Sequence, residues 1–213
     1  MHFLGSSGIA SIWVDDHGNN SIIIIPGANT HLTPIHINPY ANAIHHTHVV
    51  CVQNEIPPDT TQHVLELIKD INRKNLELHV EPQSQRRIVS IFNPAPATGE
   101  CKKFLQHCDM VCVNEVELAF LSGKPTDTDV EVEFASKLML QMNVYVMAII
   151  ATLGSRGCMM ICVKGYDHHN PNTYTRPEVL GEGDYEVVYV KAEEVKAVDT
   201  VGAGDSFIGK QCV

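Results

Sequence analysis

What most constrains the fold of this chain is its alternation of short apolar runs with segments of helical period. Ile88-Val89-Ser90-Ile91-Phe92 and Met110-Val111-Cys112-Val113 read as strands, as does Val146 to Leu153. Val49-Val50-Cys51-Val52-Gln53-Asn54-Glu55 reads as another strand, with a carboxylate at its end. Between them, Val64, Leu67, Ile68 and Ile71 recur at helical spacing, predicting a helix to about Asn75 with a capping box at Asp59 and Gln62. A second helix is read through Phe134, Leu138 and Met142, and a short one after Asn114-Glu115, closed by Gly123. Strand–helix alternation of this kind predicts an α/β fold of three layers with a largely parallel sheet.

The two ends of the chain differ from this middle. Ile9-Ala10-Ser11-Ile12-Trp13-Val14 and Ser21-Ile22-Ile23-Ile24-Ile25 flank Asp15 to Asn20, a turn composition, and read as a hairpin ended by Pro26-Gly27-Ala28-Asn29. Gly154 and Gly157 bound a turn into the strand Cys158 to Val163. Residues 165–184 have no period and read as a loop, followed by an edge strand at Val187 to Val190.

Composition removes several function classes. The 213 residues suffice for one domain with a substantial core, and a net charge of −10 opposes a nucleic-acid groove, which needs clustered Lys and Arg. No basic start with an apolar region marks a secretion signal, and no apolar run reaches the ~18 residues of a membrane helix. A cytoplasmic protein without nucleic-acid or membrane partners is expected. Seven cysteines, an odd count with no C-x-x-C pair, read as reduced small hydrophobes. Cys108/Cys112 and Cys158/Cys162 in strands would lie about 13 Å apart, too wide for one zinc site. His45-His46-x-His48 lacks a matching Cys or carboxylate cluster, and His168-His169 reads as loop.

The segment richest in chemistry is Asp199-Thr200-Val201-Gly202-Ala203-Gly204-Asp205-Ser206-Phe207. Three small residues between two carboxylates let backbone approach an anion, and the turn opens a helix whose free N–H groups suit a phosphate. Asp205 then stands where a carboxylate can accept a proton, an arrangement for phosphoryl transfer to a hydroxyl. Gly204-x4-Gly209-Lys210 overlaps the start of a P-loop, but Gln211 stands where that motif needs a hydroxyl.

This signature resembles that of the ribokinase-like sugar kinases, the phosphofructokinase-B type. Further pieces follow in the family's order: Pro26-Gly27-Ala28-Asn29, Asn93-Pro94-Ala95-Pro96-Ala97, Asn114-Glu115-x-Glu117 and Thr152-Leu153-Gly154-Ser155-Arg156-Gly157. The resemblance implies ATP-dependent phosphorylation of D-ribose at its 5-hydroxyl, or of another sugar or a nucleoside. It implies Asp205 as catalytic base and Gly202, Ala203 and Gly204 as the anion hole. Asn114 and residues Thr152 to Gly157 would bind nucleotide, Glu55 the sugar hydroxyls, and Glu117 magnesium through water. Asp199 and the Val201 carbonyl would hold potassium, and the hairpin of residues 1–30 would be a lid able to pair two subunits. Residues 31–213 would form a partial nucleotide- and sugar-binding domain. The family's first βαβ units with their Gly-Gly segment, and its part after the signature, have no counterpart here. Residues 79–87 look inserted. An incomplete form, inactive and acting only by binding, is therefore the alternative.

Overall fold

The computed structural model describes residues 5–14, 20–77, 87–167, 176–195 and 200–211. Two sheets form. The expected hairpin is present as β1 (Ile9–Val14) and β2 (Asn20–Ile25), antiparallel with Ile9 opposite Ile25 and Val14 opposite Asn20. Most of its turn, residues 15–19, lies outside the described residues, as does the expected insertion apart from Arg87.

The main sheet holds β3 (Val49–Gln53), β4 (Val89–Asn93), β5 (Met110–Asn114), β6 (Ala148–Thr152), β7 (Cys158–Val163) and β8 (Tyr185–Val190), in that spatial order. The first four are parallel and the last two are antiparallel to their neighbours. Connection length decides this. Helices α3 (Pro58–Glu77), α4 (Cys101–Phe104), α5 (Glu115–Ser122) and α6 (Asp129–Met142) supply crossovers between parallel strands. Only residues 153–157 separate β6 from β7, which allows a hairpin and nothing else. β8 is an edge strand, as read from the sequence, and it begins two residues earlier; β3 is the other edge.

Alternation along each strand feeds two cores. Phe92, Val111, Val113, Ile149, Ala151 and Ile161 pack with residues of α3 to α6, such as Leu65, Leu118 and Leu140. The opposite face shows Val89, Ile91, Cys112, Ala148, Ile150 and Cys162, joined by Ile208 and Phe207 of α7 (Ala203–Gln211). Helices thus lie on both sides of a mostly parallel sheet, the three-layer arrangement expected. The small elements α1 (Pro34–Ile37) and α2 (Ala41–His45) link the hairpin to β3 and rest on α3.

Several local readings need correction. β3 stops at Gln53, because the Asn54 amide turns away to the Ala95 carbonyl (3.2 Å), so Glu55 lies beyond the strand. α3 starts at Pro58, whose missing N–H costs nothing in a first turn, and the Thr60 amide bonds the Pro57 carbonyl at 2.8 Å. Asp59 is therefore inside the first turn, and Gln62 donates to Glu66 rather than closing a capping box. In α6 the core side is Val132, Ala135, Met139 and Leu140, whereas Phe134 and Met142 are exposed. Thr128 and Glu131 cap that helix reciprocally and fix its rotation, and a sequence with two apolar stripes does not reveal which one turns inward. Cys108 precedes β5 rather than lying in it. Its thiol and those of Cys101, Cys112 and Cys162 are free and buried, the small-hydrophobe reading. No metal-ligating group of His, Cys, Asp or Glu occurs among the described residues.

Candidate active site

Open parallel sheets bind ligands beyond the carboxyl ends of their strands. Here those ends carry Gln53, Asn93, Asn114 and Thr152. Asn114 and Thr152 are neighbours in register and continue the row of Cys112 and Ile150. Their side chains therefore start on the sheet face that α7 covers.

Asn114 ends β5 and caps α5. Its Oδ1 accepts the Glu117 N–H (2.8 Å), and Glu117 Oε2 accepts the Asn114 N–H (2.9 Å). Both groups expected at a phosphate and at magnesium are thus bonded to each other first. The Glu117 carboxyl is shifted up by burial, against the two bonds to Asn114 that favour its charged form. One carboxylate oxygen remains for a hydrated cation, and hard oxygen donors suit magnesium, which usually keeps several waters. Asn114→Asp is expected to retain the cap and helix stability, because both side chains cap well. It places a carboxylate where a phosphate is expected, so ADP affinity should fall by about tenfold or more, consistent with the cost of like charges in contact. Titration calorimetry with thermal melting checks both halves. Unchanged ADP affinity would remove Asn114 from the nucleotide site.

The turn after β6 is closed on itself. Leu153 N–H bonds the Gly157 carbonyl (2.8 Å), and Gly157 N–H bonds that of Gly154 (3.1 Å). Gly154 and Gly157 have φ of 56° and 110°, values that favour glycine. Leu153 is buried, so its side chain belongs to the core, while Gly154 and Ser155 face solvent. The Thr152 hydroxyl donates to the Val113 carbonyl (3.3 Å). The guanidinium of Arg156 is bonded by Glu115 and Asp129, the first residues of α5 and α6. Arg156 therefore ties the turn to two helix starts, and Tyr189 Oη adds a bond to its carbonyl (2.5 Å).

At α7 the Ser206 N–H makes the first helical bond, onto the Gly202 carbonyl (2.9 Å), with Gly202 at φ 74°. The first four N–H groups of such a helix have no partner within it. One of them, at Ala203, bonds the Thr200 carbonyl (3.2 Å), which leaves the Gly204 and Asp205 amides at the open end. Gly202, Ala203, Gly204 and Asp205 are all exposed, and Asp205 stands in the first turn, where the helix dipole favours an anion. Val201 is exposed as well, and Asp199 lies outside the described residues.

Glu55 occupies a separate part of the molecule. It lines a cleft of ≈ 760 Å³ between the β1–β2 hairpin and the ends of β3 and β4, with Ala10, Ile24, Asn29, Thr30 and Asn54. Asn54 is a member that the sequence reading passed over. Its Nδ2 donates to the Pro96 carbonyl (2.8 Å) and to Thr98 (3.2 Å), which fixes the Asn93–Ala97 loop beside Glu55. An Asn immediately before the carboxylate at a strand end was the available signal. Asn114, Glu117, Thr152 and Arg156 thus form one connected group, whereas Glu55 and Asp205 are carried on other elements.

The model of the pfkB family carbohydrate kinases matches residues 5–210. The chain belongs to that family. It is 33% identical over 205 residues to a deoxyribokinase of Salmonella typhi, a match covering 96% of this chain and 55% of that protein. Ribokinase of Mus musculus is 29% identical over 205 residues, covering 96% of this chain and 52% of that protein. Among solved structures, ribokinase from Giardia lamblia superposes with a TM-score of 0.74 at 28% identity, covering 98% of this chain and 55% of that one. The chain thus spans about half the length of the curated relatives it matches. Those relatives are phosphotransferases acting on sugars, and the fold agrees with theirs.

Proposed function

We propose that this chain carries the phosphoryl-handling part of an ATP-dependent pentose kinase, which transfers the γ-phosphoryl group to the 5-hydroxyl of D-ribose. The observation that carries the reading is the start of α7. There the exposed Gly204 and Asp205 amides and the Asp205 carboxylate stand on the sheet side shared with Asn114 and Thr152. Amides at a helix N-terminus stabilise charge on the transferring group, and a carboxylate takes the proton of the attacking hydroxyl. In this reading Glu55 receives sugar hydroxyls in the cleft under the hairpin, and the Gly154–Gly157 turn supports the nucleotide. Magnesium, held through water by Glu117, would offset phosphate charge. Arg156 keeps its two carboxylates and acts through them.

A second reading, phosphorylation of 2-deoxyribose, is favoured by the deoxyribokinase relative at 33% identity. Coupled ADP-release kinetics with ribose, 2-deoxyribose, fructose and adenosine separate these readings. Turnover with either pentose supports the proposal, and the larger kcat/KM names the substrate. Turnover with adenosine or fructose alone overturns it.

The potassium assignment has its own test. Asp199 and the Val201 carbonyl are hard oxygen donors suited to a monovalent cation. Activity is expected to be higher in potassium than in sodium, with the difference blunted in Asp199→Ala. Equal rates in potassium, sodium and monovalent-free buffer count against it.

The hairpin favours self-association. Trp13 and Ile23 are 66% and 56% exposed, and their positions alternate with Ala10 and Ile24, which line the cleft. A lone two-stranded ribbon with so much apolar surface is poorly stable in water. A homodimer through this face is expected, and Trp13→Glu with Ile23→Lys should shift the mass in multi-angle light scattering to that of a monomer. A monomeric parent protein would discard the idea.

A further inference from the structure

A second polar pocket lies at the opposite end of the sheet from the candidate active site. It is a cavity of ≈ 80 Å³ beside the entry to β4 and β5, lined by Lys69, Asn72, Arg87, His107, Asp109 and Tyr145. None of these residues has a place in the phosphoryl-transfer reading above.

Most of its polar atoms are committed to the fold. Asp109 is buried and accepts from Arg87, from the Ser90 N–H (2.8 Å) and from the Ser90 hydroxyl (2.7 Å). Its charge is therefore matched. Asn72 spans the start of β4 like a strand, accepting the Ile88 N–H and donating to the Ile88 carbonyl, both at 2.8 Å.

Two groups are left with unfilled requirements. His107 Nδ1 is buried with no hydrogen-bond partner among the described residues, while its Nε2 is 3.8 Å from Glu66. A buried polar atom without a partner calls for an explanation such as a missing ion or water. The Lys69 ammonium sits 3.6 Å from the centre of the Tyr145 ring, which holds it at the rim. Burial pushes the His107 pKa down, and the nearby Lys69 charge pushes it further, against the opposing pull of Glu66. Lys69 and His107 thus both line the cavity, and the buried Nδ1 of His107 has no partner there among the described residues.

We infer that this pocket is an inorganic oxyanion site, taking one phosphate-type ion between the Lys69 ammonium and an Nδ1–H tautomer of His107. An acceptor there satisfies the buried nitrogen, and its negative charge is matched by the Lys69 ammonium. The Arg87–Asp109 pair forms the floor and adds no net charge. Size selects the ligand: the cavity is far below the about 300 Å³ at which pockets for drug-sized ligands begin, so a nucleotide or a sugar phosphate is excluded. No residue of α7 lines this cavity.

The test is titration of the full chain with inorganic phosphate, followed by calorimetry and by the side-chain ¹⁵N resonances of His107. Saturable binding with a Kd on the order of 1 mM and a shift of the His107 Nδ1 signal are expected. Lys69→Met should weaken binding by about tenfold or more, the worth of a charge-assisted hydrogen bond, while Lys69→Arg should retain it. His107→Gln provides an independent second variant, and Asp205→Asn should leave the His107 shift in place. Failure of phosphate to move the His107 signal overturns the inference, whether no ion or only water fills the cavity. So does equal affinity in the parent and Lys69→Met, or loss of binding confined to variants at Gly204 or Asp205.

Discussion

Asp205→Asn is expected to lower kcat for pentose phosphorylation by about 10²–10⁴-fold, the usual contribution of a positioned base. Asparagine matches aspartate in shape but cannot take the proton of the sugar hydroxyl at neutral pH. Nucleotide affinity should stay within about threefold, because the amides at Gly204 and Asp205 are backbone groups and survive the change. The side chain is exposed and makes no contact on which the core depends, so thermal stability should change little. The informative measurement is kcat beside the Kd for ADP in catalytically competent protein. Retention of more than about a tenth of the parent kcat would take Asp205 out of the base role. A parallel collapse of ADP affinity would instead make it a binding residue.

The local structure of the candidate site was legible where one short segment carries it: Gly202 to Gly204 read as a turn opening a helix, and α7 begins there at Ala203. Asn114 with Glu117 was equally visible, but the spacing suits two roles. The three-residue interval that could present an amide and a carboxylate to a nucleotide is also that of a reciprocal helix cap, and the structure uses the pair as a cap. Such a cap and a ligand contact can coexist, since each side chain has a second polar atom.

Contacts between distant segments were not legible. Arg156 stands 41 residues from Glu115 and 27 from Asp129, and nothing in its neighbourhood in sequence names either partner. The fold class followed from strand–helix alternation, whereas the orientation of α6 did not. Val130, Phe134 and Met142 form an apolar stripe as regular as the buried one, and only the cap at Thr128 and the packing under the sheet choose between them. The end of β3 was misplaced for a similar reason. The tertiary bond from the Asn54 amide to Ala95 ends the strand, and β-propensity carries no information about it.

The two glycines of the turn after β6 are expected to respond very differently to the same substitution. A Cβ on Gly157 would stand 2.0 Å from the Val190 carbonyl oxygen and 2.6 Å from the Ala192 nitrogen, at φ +110°. Both neighbours are backbone of β8 and its exit, so neither can swing aside as a side chain would. Gly157→Ala therefore combines a strained backbone, about 1–3 kcal/mol, with an overpacked contact of about 1–3 kcal/mol. Gly154 has φ +56° and nothing within 4 Å of the added carbon. Gly154→Ala should cost only the left-handed penalty of about 1–2 kcal/mol. In a chain of this size each kcal/mol moves Tm by about 2–4 °C, so Gly157→Ala should melt roughly 10 °C or more below the parent. Gly154→Ala should lose about half of that or less. Relief of the clash has two routes: β8 must move away from β7, or the turn must move off β8. Either movement pulls Arg156 from Tyr189 and shifts the exposed amides at Gly154 and Ser155. ADP affinity should accordingly fall in Gly157→Ala well beyond what Gly154→Ala shows. Differential scanning calorimetry of the two variants side by side is the deciding experiment. Equal melting temperatures would mean that β8 is not held against the turn after β6 in solution.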